Sequence, residues 1–518
     1  MMKRTRHQTL PSTGPEREAL RRKGQFWTPD WVAEAMVSYV VEGGSNHVFD
    51  PAVGAGAFFR AAKSLAAESG RHFSLLGMEI DGDALREALR NGLYADDLSR
   101  VRMSDFVLRP PQEKFDAIVA NPPYIRHHRL PAHVKTELKR LGARLIGTPL
   151  DGRAGLHVYF LLRALQLLRE GGRLAFIVPA DTCEGIFSAM LWNWVTRNFR
   201  LEAVVTFAPE ASPFPRVDTN PIILLISNTR PADEFWWAKC LIRETGHLKT
   251  WIASGFKETG RALEVFRRCL SEGLATGLSR PPGEVKTAAS VLGDYARVMR
   301  GIATGANDFF FLTTRQAAEL KLPSEFLLPA IGRTRDVPDD EINLLTVKEI
   351  ESKGKPTLLF SPDGRPLDLF PASVRKYLEL GEAAGIHLKT LIATRRPWYK
   401  METRPAPPFL FAYLGRRNAR FIRNLASVRP LTGFLCVYPY SDDTLLIEKF
   451  WNVLRHPETV ANLALVGKSY GSGAIKVEPR ALERLPLPHA ALIESGLDSV
   501  QTRTQKVKQV GQPFLPLF

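Results

Sequence analysis

Between about residues 47 and 227, short apolar runs alternate with longer segments whose apolar residues recur at helical spacing. This pattern predicts strands joined by helices, which is typical of a mostly parallel sheet with helices on its faces. The last two strands are separated by a Pro-rich stretch too short for a helical crossover, so we expect an antiparallel hairpin at the sheet edge. The apolar runs predict seven strands, at 47–50, 74–80, 101–105, 115–121, 172–179, 201–207 and 221–227.

The alternation stops after about Lys239, and the rest of the chain mixes amphipathic segments, Arg-rich stretches and prolines. A chain of 518 residues exceeds the usual length of one domain, so this change predicts a domain boundary. We therefore expect a flexible basic lead-in over residues 1–20, an α/β domain over 21–240 and a mixed α+β domain over 241–518.

The chain carries 70 basic and 54 acidic residues, which gives a formal net charge of +16. This excess attracts polyanions and makes nucleic acid the leading partner class, although a basic balance alone fits simple solubility equally well. No apolar run approaches the length that crosses a bilayer, and residues 1–14 lack the apolar core of a secretory signal, so we expect a cytoplasmic protein without membrane contact. The cysteines lack metal-binding spacing, so we expect neither a metal site nor disulfides among Cys183, Cys240, Cys269 and Cys436.

The segment VFDPAVGAGAFFRAA (48–62) combines a strand that ends in Asp50, a turn with Gly54 and Gly56, and the start of a helix. Glycines let a ligand approach the backbone, and a helix N-terminus favours the carboxylate of an amino-acid cofactor. Taken alone this pattern is weak, because tight strand-to-helix turns also use glycine for steric reasons.

Acidic residues end the next two predicted strands. Glu79 ends the second strand, where a carboxylate is placed to accept hydrogen bonds from ribose hydroxyls. Asp105 ends the third strand and is followed by Phe106, so a carboxylate for an adenine amine lies beside a ring that can stack on the base. Each residue alone also fits an ordinary loop carboxylate, but in series they predict a nucleotide site along one sheet edge.

The sequence Asn121-Pro122-Pro123-Tyr124 directly follows the strand FDAIVA. An Asn at the end of a buried strand has its amide fixed at the carboxyl edge, where open α/β sheets bind ligands. The Asn121 side-chain oxygen and the Pro122 carbonyl can accept two hydrogen bonds from one NH2 group, and Tyr124 offers a stacking face. The pattern therefore predicts a site that orients an aromatic amine for attack on an electrophile.

These motifs resemble the N6-adenine DNA methyltransferases of the gamma arrangement, in particular the group typified by the TaqI methyltransferase. The resemblance implies a Rossmann-like, seven-stranded methyltransferase sheet with a terminal antiparallel hairpin, and a C-terminal mixed α+β target-recognition domain. Residues 24–37 resemble the family's N-terminal cofactor motif, in which Thr28 would cap a helix that starts at Pro29. By this resemblance S-adenosylmethionine would be bound by Thr28, Asp50, Pro51, Ala52, Gly54, Gly56, Glu79, Asp105 and Phe106.

The same resemblance implies that Asn121, Pro122 and Tyr124 hold the target base, with Phe214 as a second stacking ring. The partner would be double-stranded DNA, from which the adenine must rotate out to reach the methyl donor. The implied function is a site-specific adenine methyltransferase of a restriction-modification or related phage-defence system. We expect a monomer, and a cognate restriction endonuclease is left open as a further partner.

The second half offers candidate DNA contacts in its Arg-rich stretches, whereas Trp398 and Phe309 to Phe311 are expected to be core residues. Pro338-Asp339 and Glu351-Ser352-Lys353 imitate the spacing of a metal-dependent nuclease, but the second segment is polar and helix-like, so we reject a nuclease site. The candidate DNA contacts are Arg395, Arg396, Lys400, Arg416 and Arg417, with Arg420 and Arg423 nearby.

Two alternatives remain at this point. Asn-Pro-Pro-Tyr also occurs in methyltransferases of RNA adenine and of protein glutamine amides, which usually lack so large a C-terminal half. A catalytically idle DNA-binding specificity subunit with a relic cofactor fold is the other alternative, and cofactor binding would discriminate it from an enzyme.

Overall fold

The computed structural model describes residues 24–151, 153–184, 187–214, 217, 219–282, 290–412, 419–466, 468–470 and 474–498. The chain divides into two compact units, residues 1–283 and 284–518. Within the described ranges, no helix is both long enough and apolar enough to cross a membrane.

The first unit is built on one large sheet. Its strands are β1 (His47–Asp50), β2 (Ser74–Glu79), β3 (Val101–Met103), β4 (Phe115–Ala120), β5 (Leu168–Pro179), β6 (Arg200–Phe207), β7 (Pro221–Ser227), β8 (Glu234–Cys240) and β9 (Leu263–Cys269). Its helices are α1 (Asp30–Glu42), α2 (Ala57–Ser69), α3 (Gly82–Arg90), α4 (Ala132–Ile146), α5 (Leu156–Leu167), α6 (Asp181–Glu184), α7 (Ser188–Asn198), α8 (His247–Ala253) and α9 (Leu270–Thr276).

The strand order is β3-β2-β1-β4-β5-β7-β6-β8-β9. The first five strands in this spatial order are parallel to one another. Strand β7 runs antiparallel to both β5 and β6. The order reverses between β1 and β4, and this is the point where open α/β sheets place ligands outside the carboxyl ends of their strands.

Alternate residues of the central strand β4 face two different cores. Ile118 and Ala120 belong to the core formed with α4, α5 and α7, whereas Ala117 and Val119 belong to the core formed with α1, α2 and α8. Because successive side chains of a strand point to opposite faces, helices cover both faces of the sheet. The near-continuous apolar sequence of β4 follows from this double burial.

All seven predicted strands correspond to strands β1 to β7, and the antiparallel pairing of β6 with β7 is confirmed. The prediction that this hairpin lies at the sheet edge is wrong, because β8 pairs with β6 and β9 pairs with β8. The described part of the sheet therefore has nine strands rather than seven. For the same reason the first unit continues past the expected boundary at 240 to residue 283.

The second unit is mixed α+β, as expected. Two of its sheets are a five-stranded sheet, β10-β18-β15-β16-β13, and a four-stranded sheet, β11-β14-β12-β17. These strands are β10 (Ala296–Arg300), β11 (Phe311–Leu312), β12 (Leu327–Ile331), β13 (Glu341–Ile342), β14 (Leu358–Phe360), β15 (Phe409–Ala412), β16 (Arg420–Asn424), β17 (Arg429–Pro430) and β18 (Phe434–Pro439), and a further pair is formed by β19 (Lys468–Tyr470) and β20 (Ala474–Lys476).

The helices of the second unit pack against these sheets. Phe409 and Phe411 of β15 lie in one core and Leu410 and Ala412 in another, so both faces of the five-stranded sheet are covered. The helices are α10 (Leu292–Tyr295), α11 (Asn307–Phe310), α12 (Thr314–Glu319), α13 (Leu344–Ser352), α14 (Ala372–Ala383), α15 (Thr444–Arg455), α16 (Pro457–Ala461), α17 (Leu463–Val466), α18 (Pro479–Leu482) and α19 (His489–Glu494).

Candidate active site

The polar residues singled out in the sequence follow the carboxyl ends of four neighbouring parallel strands. Asp50 and Glu79 are the last residues of β1 and β2, and Asn121 follows β4 directly. Asp105 lies two residues after β3. Because β3, β2, β1 and β4 are consecutive in the sheet, the fold brings these residues to one edge.

The loop after β1 holds a buried carboxylate and two glycines. Asp50 Oδ1 accepts a hydrogen bond from the Ala52 backbone N–H at 2.9 Å, whereas Oδ2 is buried without a partner among the described residues. Burial raises the pKa of Asp50 well above its usual range, and the nearby Glu79 carboxylate adds to the effect. An unsatisfied buried acceptor of this kind favours a ligand that donates a hydrogen bond or carries positive charge.

Gly54 and Gly56 both have positive φ, +53° and +76°, a region that side-chain-bearing residues rarely occupy. A Cβ on Gly56 would lie 2.4 Å from Leu93 Cδ1, so packing against the loop also requires glycine there. A Cβ on Gly54 would approach only the Ala52 carbonyl, at 3.7 Å, so the space above this residue is open. The loop is thus closed on one side and open on the other.

Glu79 ties this loop to the end of β2. Its Oε2 accepts from the Gly54 N–H at 2.7 Å, and its Oε1 accepts from the backbone N–H groups of Ile80 and Asp81 at 2.8 and 2.9 Å. The ribose contact expected for Glu79 stays a prediction, because three of the carboxylate's acceptor positions already serve the backbone. Ile80, which follows Glu79 in the chain, was not predicted as a site residue, and its side chain is 70% exposed.

The residues after β3 differ from the expectation. Asp105 Oδ1 accepts from the backbone N–H groups of Val107 and Leu108 at 2.8 and 2.9 Å and so stabilises the turn. The Phe106 ring is only 2% exposed and packs against Phe49 and Phe160. The expectation that this ring is available to stack on a cofactor base is therefore contradicted, because the core of the sheet already contains it.

The Asn121 amide is oriented by two hydrogen bonds. Its Nδ2 donates to the Phe26 carbonyl at 2.7 Å and to Thr28 Oγ1 at 3.1 Å. Both amide hydrogens are thereby used, and the side-chain oxygen accepts from no group in the part of the chain that the structure describes. The Pro122 carbonyl likewise accepts no hydrogen bond from the described backbone. Two acceptors therefore remain available side by side.

Thr28 has a different role from the one predicted. Helix α1 begins at Asp30 with Pro29 as its N-cap residue, so Thr28 precedes the cap and makes no cap hydrogen bond. Its side chain is buried, and its hydroxyl instead accepts from Asn121. The expected helix-capping role is wrong. The position of this motif near the site agrees with the resemblance, but the hydrogen bond to Asn121 was not predicted.

Gly24 completes this contact between residues 24–28 and the Asn121 motif. Its carbonyl accepts from the Tyr124 N–H at 3.0 Å, and its φ is +62°. A Cβ at this position would lie 2.7 Å from the Tyr124 backbone nitrogen. Only glycine allows so close an approach of the two segments.

Aromatic rings surround Tyr124. Its ring centroid lies 5.7 Å from that of Phe26 and 6.4 Å from that of Phe214, and its hydroxyl donates to the Ile177 carbonyl at 3.2 Å. Phe214 is thus close to Tyr124 as predicted, but the two ring planes meet at 80°. The parallel pair of rings expected around a base is absent from this arrangement. Phe26 was missed, although it lies within the 24–37 motif.

His157 on α5 is a further residue near Tyr124 that was not predicted. Its ring lies 6.1 Å from Tyr124, and its two buried nitrogens have no hydrogen-bond partner within the described ranges. Burial lowers the pKa of His157, and the Asp181 carboxylate, 3.9 Å from Nε2, offsets this only in part. The only signal in the sequence was a polar residue within an otherwise apolar stretch of the helix.

Two family models match the chain and together span most of it. Residues 16–233 match the family described as N-6 DNA Methylase. Residues 283–512 match the C-terminal domain of type II methyltransferase M.Eco57I. The first unit is therefore similar to N-6 DNA methylases, and the second to the C-terminal domain of a type II methyltransferase. The second match begins where the structure divides into its two units.

Similarity to curated methyltransferases extends over both units. The chain is 25% identical over 494 residues to type II methyltransferase M.AccI of Acinetobacter calcoaceticus, covering 94% of this chain and 88% of that protein. It is 24% identical over 479 residues to type II methyltransferase M.XamI of Xanthomonas campestris pv. amaranthicola, covering 90% and 85%.

The fold also resembles that of a solved structure, the type IIL restriction-modification enzyme MmeI in complex with DNA. The TM-score is 0.50 at 13% sequence identity, and the match covers 90% of this chain. Because the chain spans 65% of MmeI, less than two thirds, the larger enzyme has parts without a counterpart in this match. At this identity the likeness concerns the fold alone.

S-adenosylmethionine is the cofactor that these matches to methyltransferases imply. The loop after β1 fits this molecule, because no donor within the described ranges reaches the buried Asp50 Oδ2 and the space above Gly54 is open. The exposed Ile80 beside Glu79 adds an apolar surface of the kind that a purine base covers. Within the described residues no cluster of three His, Cys, Asp or Glu side chains could hold a metal ion.

In the second unit, Arg395 differs from the expected DNA contact. Its Nη2 donates to the carbonyls of Ala303 and Thr304 at 2.7 and 2.9 Å, and its guanidinium lies over the Phe310 ring. Burial lowers the pKa of Arg395. The half-buried side chain thus stabilises the local fold, and we expect its substitution to affect stability rather than DNA binding.

The other candidates divide into two groups. Arg396 and Lys400 are exposed, whereas Arg416 and Arg417 lie outside the described residues. Trp398 packs against Phe309, which confirms the expected core role of both. Glu351 lies on the helix α13 and accepts a hydrogen bond from Thr357, as expected for a segment that is not a nuclease strand.

Proposed function

We propose that this chain is a site-specific DNA methyltransferase that modifies the N6 amine of an adenine flipped out of duplex DNA. The observation that carries the proposal is the orientation of the Asn121 amide. Its two N–H groups are held by the Phe26 carbonyl and the Thr28 hydroxyl, so its oxygen is left as an acceptor. With the Pro122 carbonyl beside it, the site matches the two hydrogens of one exocyclic NH2 group.

The amine of adenine is a poor nucleophile, because its lone pair is delocalised into the ring. Two acceptors on its hydrogens draw the nitrogen out of conjugation and stabilise the positive charge that develops as it attacks. Asn121 and Pro122 thus act by orientation and electrostatics and need no general base. The methylated nitrogen is far more acidic while it is cationic, and it loses its proton to water.

S-adenosylmethionine supplies an electrophilic methyl group whose transfer releases a neutral thioether. On this chain, the glycine loop and Asp50 are the candidate holders of the amino-acid part, and Glu79 and Ile80 of the nucleoside part. Asp105 is a further candidate through its second carboxylate oxygen, since only Oδ1 serves the following turn.

The target base would stack on Tyr124. Stacking on an aromatic ring contributes about 1–3 kcal/mol per base, which offsets part of the cost of removing it from the duplex. Phe214 now meets the Tyr124 ring edge-on. For a base to lie flat between the two rings, either Tyr124 or Phe214 must therefore rotate. The ring centroid of Phe26 lies 6.0 Å from that of Phe214, so Phe26 can pack against the Phe214 ring.

The second unit is the candidate reader of double-stranded DNA, with Arg396 and Lys400 as its exposed cationic contacts. The names of M.AccI and M.XamI as type II methyltransferases support a role as the modification enzyme of a restriction-modification system. A cognate restriction endonuclease would then act on the same sequence. We propose a cytoplasmic protein that works as a monomer.

The test is methylation-sensitive sequencing of DNA from cells that express the chain. N6-methyladenine at one short sequence motif is the expected result, and Asn121→Ala is expected to lower the rate at least about 100-fold, since removing one preorganised group has that effect elsewhere. The exposed Asn46→Ala is the matched control and should retain activity.

The alternatives predict other outcomes. Methylation of RNA adenine or of protein glutamine, with unmodified DNA, would overturn the proposed substrate. Failure of the folded chain to bind S-adenosylmethionine in titration calorimetry would overturn the enzyme itself and support an idle specificity subunit.

A further inference from the structure

A run of basic residues directly follows the Asn121 motif. Residues 126–146 contain six Lys or Arg residues and one acidic residue, together with three histidines. Of the chain's net charge of +16, this short segment therefore supplies a disproportionate share. The proposed function gives this charge no role.

The structure determines which of these side chains face outward. Leu138 and Leu141 of α4 lie in the core beneath the helix. Lys135 and Lys139 are one helical turn apart, so their side chains lie on the same face. Arg140 and Arg144 form a second pair with the same spacing, rotated by more than a quarter turn from the first.

Lys135 and Lys139 lie close to the residues that connect α4 to Tyr124. The pKa of His127 is lowered, first by burial and then by the positive charges of Lys135, Lys139 and His128. Lys135 and Lys139 therefore lie near the short 3-10 helix at residues 127–129. The nearby Asp151 does not neutralise them, because it is paired with Arg153.

Few of these charges are neutralised by neighbouring side chains. Arg140 pairs with Glu137. By contrast, Arg126, Lys135 and Lys139 have no ion-pair partner in the described part of the chain. We call Arg126, His127, His128, Lys135 and Lys139 the Lys135 surface.

We propose that the Lys135 surface binds the phosphates of the DNA strand that flanks the target adenine. This inference rests on the proposed function. Arg126 is two residues from Tyr124, so their Cα atoms are at most about 7.6 Å apart, close to the distance between neighbouring phosphates. A base that stacks on Tyr124 brings its own backbone to this surface.

The composition of the surface favours this partner. Phosphate contacts come mainly from Arg and Lys side chains and position a duplex without reading its sequence. A membrane surface would require exposed apolar residues among the cations, but Leu130 is buried and Val134 is half-buried. The Lys135 surface thus fits a polyanion held at a fixed distance from the reacting base.

The test compares two double variants of the full-length chain. Lys135→Gln/Lys139→Gln removes two charges from the Lys135 surface, and Arg140→Gln/Arg144→Gln removes two charges from the other flank of α4. DNA affinity is measured at several salt concentrations, with kcat, the KM for DNA and the affinity for S-adenosylmethionine.

We expect Lys135→Gln/Lys139→Gln to weaken DNA binding about 10-fold or more and to lower the slope of log affinity against log salt by about 2. The kcat at saturating DNA and the cofactor affinity should be unchanged, which also verifies that the variant folds. Lys135→Arg/Lys139→Arg should retain wild-type binding.

The failures are distinguishable. If the wild-type chain methylates no DNA, the proposed function fails and this inference fails with it. If it methylates DNA but Lys135→Gln/Lys139→Gln binds DNA as tightly as Arg140→Gln/Arg144→Gln, only the Lys135 surface is overturned.

Discussion

At the scale of single residues, the site depends on the orientation of the Asn121 side-chain amide. An unrestrained Asn can present either its oxygen or its nitrogen to a ligand. Here Thr28 and the Phe26 carbonyl accept from Nδ2, so the oxygen faces the other way. On the proposed function, the preference for an NH2 group over a carbonyl would thus originate in residues that need not touch the base.

Thr28→Val tests this orientation. Valine has the shape of threonine without the acceptor, so one Asn121 N–H loses its partner at a cost of about 1–3 kcal/mol. We expect kcat to fall about 10-fold or more, since each 1.36 kcal/mol corresponds to about a factor of ten. Steady-state kinetics and cofactor titration are the measurements.

The control for this substitution is Thr28→Ser, which keeps the hydroxyl and should retain most activity. A change limited to the affinity for S-adenosylmethionine would contradict the orienting role. It would instead support the cofactor contact that the sequence predicted for Thr28.

His157→Phe tests the buried imidazole. Folding lowers the pKa of His157, whereas the pKa of a histidine in an unfolded chain is about 6.5. Below that pH the unfolded chain binds a proton that the folded chain does not bind, so stability falls as the pH falls. Above it, this loss is absent.

We therefore expect His157→Phe to remove part of the acid sensitivity of the first unit. The measurement is the melting temperature, at pH 7.5 and 5.5, of the transition that S-adenosylmethionine raises. The variant should gain more at pH 5.5 than at pH 7.5, and the exposed His72→Gln should behave like the wild type. An equal change at both pH values would mean that the imidazole does not titrate on unfolding.

At the scale of elements, residues 24–28 hold the Asn121 motif from one side. Gly24→Ala places a methyl group 2.7 Å from the Tyr124 nitrogen and adds strain at positive φ. We expect it to displace Tyr124 and to lower kcat/KM for DNA about 10-fold or more, since small misplacements of positioning groups are costly.

Gly70→Ala is the matched control for this element. Gly70 has a φ of +67°, but a Cβ there meets no atom within 4 Å. Both substitutions should lower stability by about 1 kcal/mol through backbone strain. Equal kinetic effects of the two would show that strain alone, and not the close approach, explains Gly24.

The elements also determine how much of the fold is predictable from sequence. Strands β1 to β7 are short apolar runs between helices, and this periodicity is a strong local signal. Strand β9 was missed because its sequence LEVFRRC is rich in charge and only Leu263 and Arg268 are buried. Strand β8 was missed because the predicted sheet ended at β7, so the apolar residues 235–238 were assigned to no strand. The local sequence does not indicate that a strand of this kind pairs with a sheet beyond its parallel part.

The site was predictable to a similar extent. Asn121, Glu79 and Asp50 were found because each ends an apolar strand and strand order then brings them together. The partners of Asn121 were not found, because Phe26 and Thr28 lie more than 90 residues away in sequence. Phe106 was assigned to the site because local sequence does not indicate which face of the sheet a ring covers.

At the scale of the whole molecule, the two units divide the expected functions between them. The first holds the cofactor loop and the Asn121 motif, and the second matches the C-terminal domain of M.Eco57I. A net charge of +16 favours association with DNA as a whole, but only side chains that are exposed can contact phosphates. Arg395 is half-buried, whereas Arg396 and Lys400 are exposed, so we expect only the latter two to reach DNA phosphates.

The double variant Arg396→Gln/Lys400→Gln tests whether these exposed side chains of the second unit contact DNA. Because both side chains are exposed, we expect weaker DNA binding, a salt slope lower by up to about 2, and an unchanged melting temperature. Arg395→Gln should do the opposite, lowering the melting temperature, because its hydrogen bonds to the Ala303 and Thr304 carbonyls are lost. Binding titrations between about 50 and 200 mM salt measure the first effect. Loss of DNA binding in a fully stable Arg395→Gln variant would reverse the assignment of this pair of roles.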